Sequence, residues 1–333
     1  MLKNFKINYL FFVFLVFYFF IGSYLSLSNG ITSDEYHEHL NWQINFSAIL
    51  SFFKTGNYEE LLNYGDRYHG IAFQYISQPF QIIFHKFIAN LNNLTIFGGY
   101  LLAKHFVVFL LFFISGIFFY LLSLKLTNDL TSSCISTLLY LLYPYLFGHA
   151  QFNPKDIPFL SFWIINSYIS LNIIEDLYHK KKIKINRIIV ISFLTAFLIS
   201  IRVVGAMILL QYIIGFLVLL NLKKINFNNF LKINLSNIIT FSFLLLFFTY
   251  ILNPILWHNP MEIINSISWM SKYFNDICTL TLGDCMRSLN LPSSYYFIWL
   301  FFKLPILVLI GLALFPLVEK KILDNKSVSI YYL

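Results

Sequence analysis

Stretches of apolar residues long enough to cross a lipid bilayer recur along the whole of this 333-residue chain. About 20 helical residues cover the ~30 Å hydrocarbon core of a membrane. Charged residues make up 11% of the chain, compared with about 25% in a typical soluble domain. The pattern predicts an all-α polytopic membrane protein. The long apolar windows are residues 8–28, 101–124, 130–147, 157–175, 203–222, 234–252 and 297–318.

A further apolar segment is shorter than the others. Only residues 188–201 separate Arg187 from Arg202 without a charge, and they correspond to about 21 Å of helix. We therefore expect about eight transmembrane helices, with Arg202 at or just inside the outer membrane boundary. A charged side chain at that depth is costly and is a functional candidate. The alternative is an interfacial arginine that extends its charged end into water.

The distribution of basic residues predicts which side of the membrane each loop faces. Cytoplasmic loops are rich in Lys and Arg, and a cytoplasmic N-terminus places most basic residues there and most acidic residues outside. The outer loops are then 29–97, 148–156 and 253–296. The net charge of +8 is accounted for by the cytoplasmic loops, so no nucleic-acid partner is expected. We expect one transmembrane domain over 1–333, with an uncleaved N-terminal signal anchor and a shortened C-terminus.

The long first outer loop is itself partly apolar. Its apolar residues between Leu40 and Ile88 predict two juxtamembrane helices that lie in the interface. Strict alternation of apolar and polar residues from Leu40 to Ser47 is equally typical of a strand. Both interpretations remain open at this point.

The same loop begins with an acidic pair. Thr32 and Glu35 match a capping box, in which the threonine caps a helix and the glutamate binds back to its backbone. Asp34 is one residue away and therefore points about 100° around the helix. Asp34 is our candidate catalytic base, although an acid in the first turn also stabilises the helix dipole.

The second outer loop and the shorter apolar segment add charges near the same membrane boundary. Lys155 and Asp156 come directly before the fourth long window, and Arg202 follows the shorter segment. An aspartate at a helix start is common for capping reasons alone. Two basic residues and two acidic residues at one boundary nevertheless indicate a polar site.

These residues resemble the fold-C (GT-C) lipid-linked glycosyltransferases of family 39. That group includes protein O-mannosyltransferases and the bacterial enzyme that adds aminoarabinose to lipid A. The similar segments are Asp34-Glu35, Asp156, Arg202–Gly205, Trp257–Pro260 and Leu291–Tyr296.

The resemblance implies a GT-C-like helical bundle in the inner membrane with its active site on the periplasmic face. It implies transfer of a sugar, with inversion, from a polyprenyl-phosphate donor to a lipid, glycan or protein acceptor. Asp34 would be the base, Asp156 would orient a substrate, and Arg202 would bind the phosphate. Lys155 and Lys86 are further candidates for the phosphate, and Glu35, His258, Tyr295 and Tyr296 are candidate substrate contacts.

The outer loops also contain possible ligands for a metal ion and a possible disulfide. The histidines of the outer loops form no tight ligand cluster with the acids, and relatives differ in their use of a divalent cation, so no obligatory metal is expected. Cys278 and Cys285 share one outer loop and are either a disulfide or two free thiols.

Two alternatives to an enzyme remain. A transporter or flippase for a lipid-linked saccharide would also have many spans and a charged residue at membrane depth. A membrane scaffold without catalytic activity is the other. An acceptor, a lipid-linked donor and the surrounding lipids are the partners expected for the enzyme.

Overall fold

The computed structural model describes residues 8–57, 59–179, 183–223, 227–272 and 276–323. Within these ranges the chain forms α-helices, two 3-10 helices and one β-hairpin. The α-helices are α1 (Tyr9–Ser26), α2 (Ser33–Thr55), α3 (Glu59–Asn63), α4 (Ala72–Leu91), α5 (Ile96–Thr127), α6 (Leu130–Leu141), α7 (Pro144–His149), α8 (Asp156–Tyr178), α9 (Ile185–Ile201), α10 (Ile208–Lys223), α11 (Phe227–Leu252), α12 (Ile255–His258), α13 (Glu262–Lys272), α14 (Tyr295–Lys303) and α15 (Ile306–Leu323). The 3-10 helices are Val203–Met207 and Ser288–Asn290, and the hairpin pairs β1 (Cys278–Thr281) with β2 (Asp284–Arg287).

The prediction of an all-α membrane protein is confirmed by several long apolar helices. Five segments of the described chain are long and apolar enough to cross a bilayer, and a sixth is obtained if the bent pair α14–α15 is one span. The expected count of about eight spans is not confirmed. The helices α6 and α9 are apolar but shorter than these candidate spans. The five segments are Tyr9–Ser26, Ile96–Thr127, Asp156–Tyr178, Val203–Asn221 and Leu231–Leu252.

Two of the predicted windows are interrupted at prolines. Window 130–147 divides into α6 and α7, and α7 starts at Pro144. Window 297–318 divides into α14 and α15, with a bend of 114° around Pro305. Proline has no backbone N–H and its ring clashes with the preceding helical turn, so it fits the first turn of a new helix better than the middle of an old one.

Helix α5 is the centre of the bundle. It packs against α1, α4, α6 and α8, while α9 packs against α8 and α11. Phe109 and Phe112 of α5 are fully buried, and each contributes roughly 1.5–3 kcal/mol through burial of its side chain. Close approach of α1 depends on Gly22, because a Cβ atom there would lie 2.0 Å from the Phe109 ring. Packing in the core therefore fixes the positions of α1 and α5 relative to each other. These two helices flank the first loop.

The first predicted outer loop forms the helices α2, α3 and α4. The strand interpretation of residues 40–47 is wrong, because they lie in the middle of α2. Thr32 and Glu35 form the capping box at the start of this helix, and Gly56 ends it with a φ of 72°. Glycine adopts this left-handed conformation without steric penalty. Local signals at both ends thus define α2.

Candidate functional site

A cavity of about 990 Å³ lies beside α2 and opens to the surface. Its wall combines α2, the segments 64–69 and 152–156, the 3-10 helix 203–207 and α13. Asp34, Lys155, Asp156 and Arg202, all four predicted from the sequence, line it. The other polar or charged lining residues are Thr32, His37, Glu38, Asn41, Tyr64, Asp66, His69, Asn153 and Ser271.

Helix α2 presents different residues to the cavity and to the protein interior. Asp34, Glu38 and Asn41 line the cavity and follow helical spacing. Glu35 and His39 are buried on another face of the same helix. The sequence-based expectation that Asp34 and Glu35 point in different directions is therefore confirmed.

Arg202 and Asp156 form an ion pair within the cavity wall. The guanidinium Nη2 of Arg202 lies 2.5 Å from Oδ1 of Asp156, and the two side chains are 39% and 56% exposed. Asp156 is the first residue of α8, whereas Arg202 directly follows α9 in an extended conformation. The Nε atom of Arg202 is buried and has no hydrogen-bond partner among the described residues. Because the side chain is 39% exposed and lines the cavity, the accessible part of the guanidinium, rather than Nε, can contact a ligand.

Lys155 is the centre of a second, more buried group. Its ammonium donates hydrogen bonds to Oε1 of Glu38 at 2.7 Å and to Nδ1 of His69 at 3.1 Å. Burial and the nearby Lys155 cation lower the pKa of His69. Glu38 and Asp66 act in the opposite direction, but their combined effect is smaller. His69 is therefore neutral near pH 7, and its Nδ1 is free of hydrogen so that it can accept from lysine.

Several residues predicted for the site lie elsewhere. Lys86 is exposed on α4, and neither it nor His258 lines the cavity. Tyr295 and Tyr296, at the start of α14, are also outside its lining. Glu35 is fully buried and binds His105 instead. Placement on the same predicted loops was insufficient to bring these side chains to one wall.

The two loop cysteines are joined to each other. Cys278 and Cys285 form a disulfide across the β1–β2 hairpin. The turn at its tip contains Leu282 and Gly283, both with positive φ. The hairpin lies outside the cavity lining. Among the described residues there is no group of three or more His, Cys, Asp or Glu side chains arranged to hold a metal ion.

Sequence reasoning missed four charged or titratable residues near the site. Glu38 had a usable signal, since it lies one helical turn after Asp34. Lys104 and His105 could also have been predicted from the sequence, because ionisable residues inside an apolar window are functional candidates. His69 reaches Lys155 from a distant part of the sequence, and no local pattern predicts that contact.

Similarity to known proteins does not identify the chain. No family model matches it, and neither a curated protein nor a solved structure is significantly similar to it. Any function therefore has to be argued from the cavity.

Proposed function

We propose that this protein is a membrane glycosyltransferase that moves a sugar from a polyprenyl-phosphate donor to an acceptor. One observation supports the proposal most directly: Asp34, Asp156 and Arg202 line the same cavity. Asp34 would supply the base and Arg202 the phosphate-stabilising cation that this reaction needs. A polyprenyl phosphate is a good leaving group, so the reaction needs no general acid.

In the proposed reaction Asp34 is the base. Its carboxylate is exposed and has no hydrogen-bond or ion-pair partner among the described residues, which leaves it available to an acceptor. The acceptor oxygen or nitrogen attacks the anomeric carbon and its proton passes to Asp34. The bond between that carbon and the phosphate oxygen breaks on the opposite face, with inversion. Arg202, held by Asp156, stabilises the negative charge of the departing phosphate.

The remaining wall of the cavity suits the lipid part of such a donor. Val204, Met207, Ile267 and Met270 line it, and three of these side chains are more than half exposed. Val204 and Met207 lie within the candidate span Val203–Asn221. A donor with a charged head and an apolar tail matches a cavity with one polar and one apolar wall. We assign the site to the periplasmic face of an inner membrane, in line with the acidic outer loops.

The test is Asp34→Asn. We expect loss of transfer by a factor of about 100 or more, as is typical when a general base is removed. Membranes containing the protein are incubated with radiolabelled polyprenyl-phosphate hexoses and pentoses, and the label in lipid, glycan and protein fractions is counted. The matched control is Asp129→Asn. Asp129 caps α6 far along the chain, and asparagine caps equally well, so this variant should retain full activity.

Retained transfer by Asp34→Asn, with normal expression, would remove Asp34 from the reaction. A transporter or flippase for a lipid-linked saccharide is the second candidate. It is favoured by two interrupted segments, one at Arg202 between α9 and α10 and one at the bend between α14 and α15. Movement of a labelled lipid-linked saccharide across reconstituted vesicles, without any glycosylated product, would support that alternative.

A further inference from the structure

A buried acid–base pair lies on the interior face of α2. Oε2 of Glu35 is 2.7 Å from Nε2 of His105, and both side chains are fully buried. The other carboxylate oxygen of Glu35 accepts hydrogen bonds from the backbone N–H and the hydroxyl of Thr32, at 2.7 and 3.0 Å. The second ring nitrogen of His105 lies 3.2 Å from the carbonyl oxygen of Ser26. One chain of hydrogen bonds thus joins the end of α1, the start of α2 and the first third of α5.

The acceptor atoms determine how many protons this series of hydrogen bonds contains. The Ser26 carbonyl can only accept, so Nδ1 of His105 carries a hydrogen. A carboxylate also only accepts, so a second proton must lie between Nε2 and Oε2 of Glu35. The pair is then neutral as a whole, whichever atom holds that proton. Removal of either partner leaves the other buried without its hydrogen bond, which is strongly unfavourable.

Helix capping alone does not explain this arrangement. Glutamine serves at the same position of a capping box as well as glutamate does, and a cap needs neither complete burial nor a histidine from another helix. Lys104, next to His105 in the sequence, adds another buried ionisable group. Its side chain is 1% exposed, its ammonium has no hydrogen-bond partner among the described residues, and it interacts electrostatically with Glu38 and Glu35.

We propose that Glu35 and His105 are positioning residues, which hold the first turns of α2 against α5 so that Asp34 and Glu38 stay in the cavity wall. The inference rests on the proposed function only for its catalytic consequence. Because Asp34 and Glu35 are neighbours on one helical turn, fixing the orientation of Glu35 also fixes the direction of Asp34. His39 strengthens the same contact, because its ring packs against the rings of Phe97 and Tyr100 in α5, with centroid distances of 5.2 and 5.1 Å.

The first measurement is amide hydrogen exchange of the full-length protein in nanodiscs. His105→Leu leaves the Glu35 carboxyl buried without a partner, and we expect exchange in residues 34–45 to rise about tenfold or more. Glu35→Gln keeps the cap and donates its amide to the neutral imidazole, so it should change exchange little. In the double variant Glu35→Gln/His105→Leu the buried acid is gone, and part of the protection should return.

The matched control is His179→Leu. His179 directly follows α8 and its side chain is exposed, so exchange in α2 should stay unchanged. Unaltered exchange in His105→Leu, or an equal rise with and without Glu35→Gln, would overturn the proposal.

A second readout connects the pair to the reaction. Transfer of sugar from radiolabelled polyprenyl-phosphate hexoses should fall in His105→Leu, recover partly in the double variant and persist in Glu35→Gln. Asp34→Asn should lose transfer while its exchange stays normal. If Asp34→Asn remains active, the proposed function fails, but the exchange comparison still tests the positioning pair. If exchange responds as expected while transfer is normal in His105→Leu, the pair is structural only and its positioning role is refuted.

Discussion

Two ion pairs in the cavity wall differ in what they contribute. Arg202 and Asp156 are partly exposed, and such pairs typically stabilise a protein by only about 0–1 kcal/mol. Lys155 and Glu38 are 13% and 18% exposed, so separating them leaves charges with limited access to water. The first pair can therefore rearrange around a ligand at little expense in stability. The second is better suited to holding α2 beside the segment 152–156.

His39 makes the stability of the structure depend on pH. Burial, together with the nearby Lys104 cation, lowers the pKa of His39 from 6.5 to about 4. Between these values the unfolded chain binds a proton that the folded protein does not. The contribution of His39 to the free energy of unfolding is therefore fully present above pH 6.5 and is lost as the pH falls toward 4. The loss amounts to at most about 3 kcal/mol.

We expect the melting temperature in detergent to fall between pH 6.5 and pH 4, and His39→Phe to reduce this fall. Phenylalanine fits beside Phe97 and Tyr100 and has no proton to bind. Part of the dependence should remain, because the pKa of His69 is lowered too. His179→Phe is the control, because this exposed side chain lies outside the contacts of His39, and it should not reduce the fall in melting temperature. An identical profile in His39→Phe would contradict the assignment.

Among the elements, α9 and the turn that follows it determine where Arg202 lies. The chain approaches this helix end closely at two glycines. A Cβ atom on Gly70 would lie 2.1 Å from the carbonyl oxygen of Ser200, and one on Gly205 would lie 2.7 Å from that of Leu198. The first contact brings the segment with His69 to α9, and the second folds the 3-10 helix back onto α9. Both walls of the cavity depend on these approaches.

Gly205→Ala should therefore displace the 3-10 helix together with the adjoining Arg202. Overpacking of this kind typically costs about 1–3 kcal/mol, and we expect a lower melting temperature together with reduced transfer. Gly65→Ala is the matched control, since nothing lies within 4 Å of its added methyl group. Equal melting temperatures for the two variants would show that the 3-10 helix has room to move.

The elements also show how far local sequence signals reach. The capping box and a C-terminal glycine predict α2 because the helix begins and ends with its own residues. Its interior, with alternating polarity at 40–47, misleads because α2 is buried on one face yet borders a polar cavity on another. The length of an apolar window alone does not predict the breaks at Pro144 and Pro305.

For the whole molecule, the apolar windows predict an integral membrane protein but not the number of crossings. Composition cannot distinguish a short or bent helix from a full span. The site was partly predictable for a related reason: Asp34, Asp156 and Arg202 all lie at ends of apolar segments, and all three line the same cavity. Residues such as His258 and Tyr295 follow the same rule but lie outside the cavity, since loop conformation decides their final position.

Sidedness can be tested with cysteine labelling. In the predicted topology α5 is the only crossing between the first loop and the α5–α6 connection. We expect a membrane-impermeant maleimide to label Gly65→Cys on intact cells but not Thr131→Cys. Both variants need Cys134→Ser, because Cys134 is the thiol outside the disulfide. Labelling of both sites, or of Thr131→Cys alone, would reject the predicted orientation.

The cavity's pairing of a polar wall with an apolar one has a consequence for the kinetics of the proposed transfer reaction. A donor that keeps its tail among the lipids meets the protein by diffusion in two dimensions, so its effective concentration is its mole fraction in the membrane. Diluting vesicles with buffer would then leave the initial rate per protein unchanged, whereas adding inert phospholipid to the same vesicles would lower it. Rates of the proposed transfer reaction would therefore be best expressed per surface density of donor.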